Sequence, residues 1–307
     1  MAYRICIVGA GAIGGLFAAH LATLGDTEVW ALDLSAEHVD AINAGGLRLT
    51  GHVELVAPVN ARSDPGQIPP CELGIVATKG TATAPAIAAA APIFAAGGAV
   101  CSMQNGIGNE EVIAADVPRV IRGVTLPAAR VDGPGVIHMV GPGLTWIGPF
   151  EPAPAPSSDI ELLAELLNRS GLETRALADA RGAQWTKLLF NAATNPVCAL
   201  TGLTHGQMVD HPPSRRLAGE LLREGQAVAD TLGIVLDSDP VALVDEAGQA
   251  NYLHRPSMLQ DIAARRPTEI ATLNGGIVDA ARGAGVAVPH HRAIVDLIRG
   301  LEHSWTV

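Results

Sequence analysis

The sequence predicts an α/β domain over residues 1–177 and an all-α domain over residues 178–307. Three observations support this division. Short apolar strands alternate with helical stretches in the first half, a glycine-rich turn joins the first strand to the first helix, and only helical patterns follow Asp179. Strand–helix alternation is typical of a parallel sheet with helices on both faces.

The first strand is predicted over residues 4–8, Arg-Ile-Cys-Ile-Val. It lacks polar alternation, as expected when both faces of a sheet are covered. Further parallel strands are predicted at residues 28–32, 73–77 and 99–103, and helices at residues 12–24, 36–44 and 83–93. Glycine-rich apolar segments at residues 120–124, 135–140 and 144–148 predict a small antiparallel extension.

The first domain is expected to end with a helix at residues 159–168 and a strand at residues 173–176. Pro196 is expected to kink or end the first helix of the second domain. The helices predicted for that domain span residues 180–194, 213–232, 240–249, 257–264, 268–284 and 291–299.

The net charge of −11 disfavours nucleic acid and anionic membranes as partners. The apolar stretch at residues 81–103 is interrupted by Pro85 and Pro92, so we interpret it as a helix and a strand and not as a membrane span. The four cysteines have neither zinc-site spacing nor a disulfide pattern. Without a recognisable signal peptide, the sequence favours a cytoplasmic location.

A G-x-G-x-x-G motif lies between the first predicted strand and helix, which is the context of a dinucleotide-binding Rossmann domain. The first glycine permits the turn, the second lets a pyrophosphate approach the backbone, and the third lets the helix pack on the strand. The anion is then held by N–H groups at the helix N-terminus. The predicted cofactor-binding residues of the motif are Gly9, Gly11, Ala12, Ile13 and Gly14.

Asp33 ends the second strand, nineteen residues after Gly14. A carboxylate there can accept hydrogen bonds from the adenosine ribose hydroxyls and would repel a 2′-phosphate. The sequence therefore favours NAD as cofactor, with NADP as second choice. Alternatively, Asp33 is the N-cap of the next helix, a role that Ser35 could fill equally well.

Polar residues occur in five further segments. They are Lys79, residues 104–110 (Gln-Asn-Gly-Ile-Gly-Asn-Glu), the helical set Lys187, Asn191 and Asn195, residues 257–261 (Ser-Met-Leu-Gln-Asp), and residues 268–270 (Thr-Glu-Ile). With the glycine motif, they resemble the ketopantoate reductase (2-dehydropantoate 2-reductase) family over essentially the whole chain. The resemblance implies a Rossmann domain, an α-helical second domain and a cleft between them for the nicotinamide.

Reduction of a ketone needs a proton for the oxygen as hydride reaches the carbon, and Lys187 is a candidate general acid. The resemblance implies this role, although a solvated helix lysine is the alternative. Spacings of four and eight residues place Lys187, Asn191 and Asn195 on one face of an otherwise apolar helix. This polar stripe suggests a wet cleft, in which both asparagines would bind substrate.

The resemblance also implies roles for single residues in other segments. Glu269 would lie near the substrate and the lysine, or else would be a first-turn glutamate favoured by the helix dipole. Ser257 would donate to the substrate carboxylate, or else cap a helix. Asn105 follows a strand end where ligands bind in such sheets, and would contact the carbonyl or the nicotinamide. Lys79 is a candidate cofactor contact, or else a solvated loop lysine.

Two positions depart from the family pattern. Leu34 stands where the family usually has an arginine that recognises NADP, and His254 stands where it usually has a substrate-binding asparagine. His254 is either a ligand for a carboxylate or a packed side chain. Both departures favour the relatives that act as NAD-dependent dehydrogenases of other branched or aromatic 2-hydroxy acids.

The predicted function is therefore NAD(P)-dependent reduction of a small 2-oxo acid, with an NAD-dependent D-2-hydroxyacid dehydrogenase as the alternative. A non-catalytic dinucleotide sensor is an alternative of another class, but it would not need Lys187, Asn191 and Glu269 together. No metal is expected, because His290 and His291 lack a third ligand at suitable spacing. The apolar helices of the second domain could support a homodimer.

Overall fold

The structure is a computed structural model and describes residues 2–306. The chain folds into two compact units. The first extends to Gln104 and resumes over Asn109–Ala180. The second comprises Asn105–Gly108 and the chain from Arg181 onward, so it includes a four-residue segment that is distant in sequence from the rest of that unit.

The first unit is an α/β fold. Its strands are β1 (Tyr3–Val8), β2 (Thr27–Leu32), β3 (Leu47–Gly51), β4 (Leu55–Ala57), β5 (Asn60–Arg62), β6 (Leu73–Val76), β7 (Ala99–Ser102), β8 (Val120–Thr125), β9 (Ala128–Gly133), β10 (Val136–Gly141), β11 (Thr145–Pro149) and β12 (Thr174–Ala176). Its helices are α1 (Ala12–Leu21), α2 (Ala36–Gly45), α3 (Thr83–Phe94), α4 (Asn109–Ala114) and α5 (Ser157–Arg169). The four predicted parallel strands and the predicted helices of this unit are confirmed to within about one turn.

The main sheet has eight strands in the order β12-β11-β8-β7-β6-β1-β2-β5. The strands from β8 to β5 in this order are parallel to their neighbours, and β11 runs antiparallel to β8. Alternate residues of β1 enter two different cores: Ile5 and Ile7 pack in one cluster, Cys6 and Val8 in the other. Both faces of β1 are therefore buried, which explains its unbroken apolar sequence.

A second sheet, with the order β4-β3-β10-β9, replaces part of the predicted antiparallel extension. The expectation of one extension is wrong, because β8 and β11 join the main sheet whereas β10 pairs with β9 and β3. The alternation of Leu47 and Leu49 with polar residues in β3 is the period-two pattern of a half-buried strand. That pattern was available in the sequence and would have predicted this strand.

The second unit is helical, as predicted. It consists of α6 (Arg181–Thr201), α7 (His205–Asp210), α8 (Pro212–Thr231), α9 (Pro240–Ala250), α10 (Ser257–Ala263), α11 (Asn274–Ala284) and α12 (Pro289–His303). Helix α7 was not predicted. The predicted helix over residues 268–284 is too long, because α11 begins at Asn274 and residues 269–273 form turns.

Helix α6 continues through Pro196 to Thr201, so of the two expected effects of the proline, a kink or a helix end, the second is wrong. Proline lacks an N–H group, which leaves the carbonyl of Ala192 without its helical donor. Asn274 supplies the missing donor, since its Nδ2 lies 2.9 Å from the Ala192 oxygen. The same Nδ2 lies 3.0 Å from Nδ1 of His291, whose Nε2 lies 2.9 Å from the Leu221 oxygen.

We expect Asn274→Leu to lower the free energy of unfolding by roughly 2–4 kcal/mol, because it leaves the buried Ala192 carbonyl without a donor. Urea denaturation of the full chain measures this change. In the double variant with Pro196→Ala, a backbone N–H is restored to Ala192, and about 1 kcal/mol should be recovered. Equal destabilisation in the single and double variants would contradict this account of the proline.

Candidate active site

The glycine turn between β1 and α1 is required by its own packing. Gly9 has φ +89°, and a Cβ there would lie 2.7 Å from Cγ2 of Thr78. A Cβ at Gly14 would overlap the carbonyl oxygen of Gly9. These two glycines therefore let α1 start directly against the end of β1, as expected for the first and third positions of the motif.

Gly11 is different, because a Cβ there would have no protein atom within 4 Å. Gly11 is the N-cap of α1, and it makes no side-chain cap hydrogen bond. The first turn, which begins with Ala12 and Ile13, contains no acidic residue. N–H groups of a first helical turn lack intrahelical acceptors and favour anions. This end of α1 therefore fits a pyrophosphate, with Gly11 keeping the approach open.

Asp33 follows β2 directly, and both of its carboxylate oxygens are held by backbone donors. Oδ2 accepts from the N–H of Ala10 at 2.9 Å, and Oδ1 accepts from the N–H of Ser35 at 2.9 Å. Ser35 is the N-cap of α2, so the N-cap alternative for Asp33 is wrong. The carboxylate is fixed beside the glycine turn, and the Leu34 side chain next to it is 90% exposed.

The sequence reasoning missed His38, which holds the glycine turn from the other side. Its Nδ1 accepts from the N–H of Gly135 at 3.0 Å, so Nε2 carries the proton and donates to the Ala10 carbonyl at 3.0 Å. Both backbone polar groups of Ala10 are thus bound by side chains, those of Asp33 and His38. A single histidine in α2 carries no sequence signal for this role.

Gln104 is a second residue to which the sequence reasoning gave no role. Its Nε2 donates to the Thr78 carbonyl at 2.9 Å and to Oγ1 of Thr83 at 2.7 Å. It thereby ties the carboxyl ends of β6 and β7 to the start of α3. Lys79 lies in this region as an exposed residue at the start of a short 3₁₀ turn, Gly80–Ala82.

In the second unit, three of the predicted residues form one hydrogen-bonded chain. The Nζ of Lys187 donates to Oδ1 of Asn105 at 2.8 Å. The Nδ2 of Asn105 donates to Oε2 of Glu269 at 2.9 Å. An ammonium and a carboxylate at opposite ends fix the orientation of the amide between them. The alternative of a solvated helix lysine is therefore wrong for Lys187.

Asn105 reaches this cluster because the segment Asn105–Gly108 belongs to the second unit. The N–H of Ile107 donates to the carbonyl of Thr272 at 3.0 Å, and Gly106 has φ +89°. A Cβ at Gly106 would overlap the Thr272 carbonyl oxygen, so only glycine permits this approach. Glu269 opens the turns before α11, where its carbonyl accepts from the N–H of Leu273 at 3.0 Å. Its alternative role in the first turn of a helix is thus wrong.

Burial lowers the pKa of Lys187 from 10.5 to about 8, and the nearby Glu269 carboxylate acts in the opposite direction. Lys187 is flanked in α6 by the fully buried Leu188 and Leu189. An amine with this pKa is still mostly protonated at neutral pH and gives up its proton more readily than an ordinary lysine. The cluster can thus donate a proton to a developing alkoxide and stabilise its charge.

If Lys187 donates the proton, kcat/KM for reduction of a 2-oxo acid should be level at neutral pH and fall tenfold per pH unit above about 8. The sign follows because the donor is protonated below its pKa. For oxidation of the 2-hydroxy acid, kcat/KM should instead rise with pH and level off above about 8, because the amine must then accept a proton. In Lys187→Arg the guanidinium does not titrate in this range, so this limb should disappear. A limb unchanged in that variant would assign the titration to another group.

The other predicted substrate residues lie in the same unit. Asn191 and Asn195 follow Lys187 by one and two turns of α6; Asn191 is half-buried and Asn195 is 5% exposed. Ser257 is the first residue of α10, is exposed and makes no cap hydrogen bond, because Pro256 occupies the N-cap position. The alternative helix-cap role is therefore wrong for Ser257. His254 is exposed and lies beside His205, with 5.0 Å between the ring centroids.

None of the helices within residues 2–306 combines the length and apolar composition that a bilayer crossing requires. In the same part of the chain, no group of three histidine, cysteine or acidic side chains is placed to hold a metal ion. At the start of α12, His290 binds the Glu224 carboxylate through Nδ1 and its backbone N–H, and His291 binds it through its backbone N–H.

Hydride transfer from a dinucleotide to a ketone needs a nucleotide-binding turn and a proton donor, and the glycine turn and the Lys187 cluster fit these two requirements. The chain is an NAD(P)-dependent oxidoreductase. Residues 5–152 match the family described as Ketopantoate reductase PanE/ApbA, and residues 179–302 match the C-terminal domain of the same family. The chain belongs to the ketopantoate reductase family.

Individual relatives agree with this assignment over almost their full length. The 2-dehydropantoate 2-reductase of Pyrococcus abyssi is 34% identical over 97% of this chain and 98% of its own. The crystal structure of a ketopantoate reductase from Ralstonia eutropha JMP134 is 30% identical, has a TM-score of 0.90, and covers 99% of this chain and 100% of its own. A ternary structure of D-mandelate dehydrogenase with NADH and anilino(oxo)acetate also has a TM-score of 0.90, at 26% identity, and covers 99% of this chain and 100% of its own.

Proposed function

We propose that the protein reduces a small 2-oxo acid to its 2-hydroxy acid, using NADH as the hydride donor and Lys187 as the general acid. The observation on which this depends most is the chain from Lys187 through Asn105 to Glu269, with hydrogen bonds of 2.8 and 2.9 Å. The reductase names of the relatives agree with the reaction class.

A nicotinamide dinucleotide held at the glycine turn and Asp33 would supply the hydride for the carbonyl carbon. As negative charge develops on the carbonyl oxygen, Lys187 donates its proton there. Asn105 holds the ammonium in place, and Glu269 holds Asn105, so the proton donor is oriented before substrate binds. Because the Lys187 ammonium is already in position, it stabilises the developing negative charge without reorganisation of water.

The substrate would be oriented by the polar residues around this chain. Ser257 at the start of α10 can donate to the substrate carboxylate, and the side chains of Asn191 and Asn195 can hydrogen-bond the oxygens of the acid. His254 precedes Ser257 by three residues, so it is the predicted substrate residue that is nearest to Ser257 in the sequence. Lys79, at the end of β6 in the first unit, would contact the cofactor.

The preference for NADH is supported by Asp33 and Leu34. Asp33 is fixed by two backbone hydrogen bonds at the end of β2, where it can accept from ribose hydroxyls. It would repel a 2′-phosphate at that position, and the exposed Leu34 offers no positive charge to offset the repulsion. The structural likeness to D-mandelate dehydrogenase with NADH agrees with this proposal.

We expect Leu34→Arg to raise the ratio of kcat/KM with NADPH to that with NADH by about tenfold or more, since a charge-assisted hydrogen bond to phosphate is worth about 1.5–3 kcal/mol. Initial rates with both cofactors measure the ratio. Leu34→Met is the matched control, because it is equally exposed but uncharged. An unchanged ratio in Leu34→Arg would indicate that the adenosine ribose does not bind beside residue 34.

A second candidate function is an NAD-dependent D-2-hydroxyacid dehydrogenase with a non-pantoate substrate. His254 favours it, because an imidazole replaces the amide that the family usually presents to its substrate. The decisive experiment measures NADH and NADPH oxidation with ketopantoate, 2-oxoisovalerate and phenylglyoxylate. Preferred turnover of ketopantoate supports the reductase of that acid, and preferred turnover of another supports the dehydrogenase. Absence of turnover with all three would refute the proposed function.

A further inference from the structure

Three aromatic side chains of the second unit lie in contact and form a surface that we name the ring wall: Phe190, His205 and His254. The Phe190 and His205 rings meet edge to face, with 5.7 Å between centroids and an interplanar angle of 86°. The His205 and His254 rings are 5.0 Å apart and inclined at 52°. Both distances lie in the range where ring pairs attract each other.

The two imidazoles are held together by the backbone. The N–H of His205 donates to the carbonyl of His254 at 3.1 Å. The carbonyl of Tyr252 accepts from the N–H of Gly206 at 3.0 Å and from Oγ1 of Thr204 at 2.7 Å. Because a Cβ at Gly206 would overlap the Tyr252 ring, glycine is needed for this close approach. The segment before α10 is thus fastened to the start of α7, and the ring wall is preformed.

The ring wall is uncharged at neutral pH. His205 is 6% exposed and its Nε2 is buried without a hydrogen-bond partner. Burial, and to a smaller extent the neighbouring His254, lowers the pKa of His205 to about 4. Burial also lowers the pKa of His254. The exposed ring of the wall, that of His254, is therefore flat and neutral and packs against the buried His205 ring.

The ring wall adjoins the predicted substrate residues. Phe190 follows Lys187 by three residues in α6, which is about 4.5 Å along the helix axis, and directly precedes Asn191. His254 precedes Ser257 by three residues, and α10 packs against α6. Of the three rings, His254 is the exposed one, with His205 against one side. Ring contacts thus link the exposed His254, which precedes Ser257 by three residues, through His205 to Phe190, which lies one helical turn after Lys187.

We propose that the ring wall receives the side chain of the 2-oxo acid and selects a flat aromatic side chain over a branched aliphatic one. This inference rests on the proposed function and specifies the substrate class of the same site. An aromatic side chain stacks on the exposed His254 ring, which packs against the His205 ring, and His205 in turn packs against Phe190. A branched side chain covers less of that ring, so it gains less from the contact.

The test compares phenylglyoxylate with 2-oxoisovalerate and ketopantoate in the full-length enzyme with NADH. We expect kcat/KM to be highest with phenylglyoxylate. His254→Ala should lower the ratio of kcat/KM for phenylglyoxylate to that for 2-oxoisovalerate about tenfold, mainly through KM. His254→Phe keeps a ring and should retain most of the ratio. His303→Ala removes an exposed imidazole at the end of α12 and is the matched control.

A binding measurement keeps this test separate from that of the proposed function. In the complex with NAD⁺, phenylglyoxylate should shift the imidazole proton resonance of His254 by its ring current, whereas 2-oxoisovalerate should not. The resonance is assigned by its loss in His254→Ala. A shift without turnover of any 2-oxo acid would refute the proposed function and support the ring wall. Turnover that favours a branched acid, with no shift from phenylglyoxylate, would refute the ring wall alone. If the enzyme shows no turnover and phenylglyoxylate causes no shift, both proposals are refuted.

Discussion

Lys187→Ala should lower kcat for 2-oxo acid reduction by about 10²–10⁴-fold, the range that a positioned general acid contributes. The dissociation constant for NADH should change little, because the glycine turn and Asp33 belong to the other unit of the chain. Steady-state kinetics and a fluorescence titration with NADH measure the two quantities. Loss of turnover without loss of cofactor binding is the result expected of a residue that acts on the reacting oxygen.

Chemical rescue distinguishes this proton-donor role from a structural one. In Lys187→Ala, the shorter side chain leaves room beside Asn105 and Glu269 for a small primary ammonium ion. Ethylammonium should restore part of kcat in proportion to its protonated fraction, whereas tetramethylammonium, which has no proton to give, should not. Equal restoration by both ions would show that Lys187 supplies charge alone. Restoration by neither, with a lowered thermal midpoint, would indicate a structural role.

Gly11→Ala should weaken NADH binding by at least about tenfold, or about 1.4 kcal/mol, with little effect on folding. The reason is that a Cβ at Gly11 meets no protein atom within 4 Å, whereas it would stand in the path of a pyrophosphate at the start of α1. Isothermal titration with NADH and thermal denaturation without it measure the two effects.

Gly14→Ala is the informative comparison for this prediction. Its Cβ would overlap the Gly9 carbonyl oxygen, so α1 must move from the end of β1, at a cost of about 1–3 kcal/mol of stability. Gly14→Ala should therefore lose both stability and NADH binding. If Gly11→Ala bound NADH normally, the pyrophosphate would not lie at this turn.

Much of the fold could be predicted because its signals are local. The residues of β1 are apolar in succession because alternate side chains enter separate cores. The G-x-G-x-x-G motif lies between a strand and a helix, and the structure explains its first and third glycines by direct packing. The four-residue spacing of Lys187, Asn191 and Asn195 placed them on a single helix, and α6 contains all three.

Two of the predictions that failed, those for Pro196 and for the start of α11, concern segments that contact residues far apart in sequence. Pro196 does not end α6, because the Asn274 side chain, 78 residues later, supplies the donor that proline lacks. The helix expected from Thr268 starts at Asn274, and the Thr272 carbonyl in the turns before it accepts from the N–H of Ile107. His205 belongs to no sequence motif, and its role is indicated only by its ring contacts with His254 and Phe190 in the structure.

Because Asn105–Gly108 belongs to the helical unit, this enzyme cannot be divided into its two units by a single cut in the sequence. A fragment that begins at Arg181 would retain Lys187 and Glu269 but lack the amide that joins them. It would also lack the partner of the Thr272 carbonyl. Exchange of C-terminal domains between members of the family would therefore transplant Lys187 and Glu269 without Asn105 unless these four residues came from the same parent. In this enzyme the smallest exchangeable module is discontinuous in sequence.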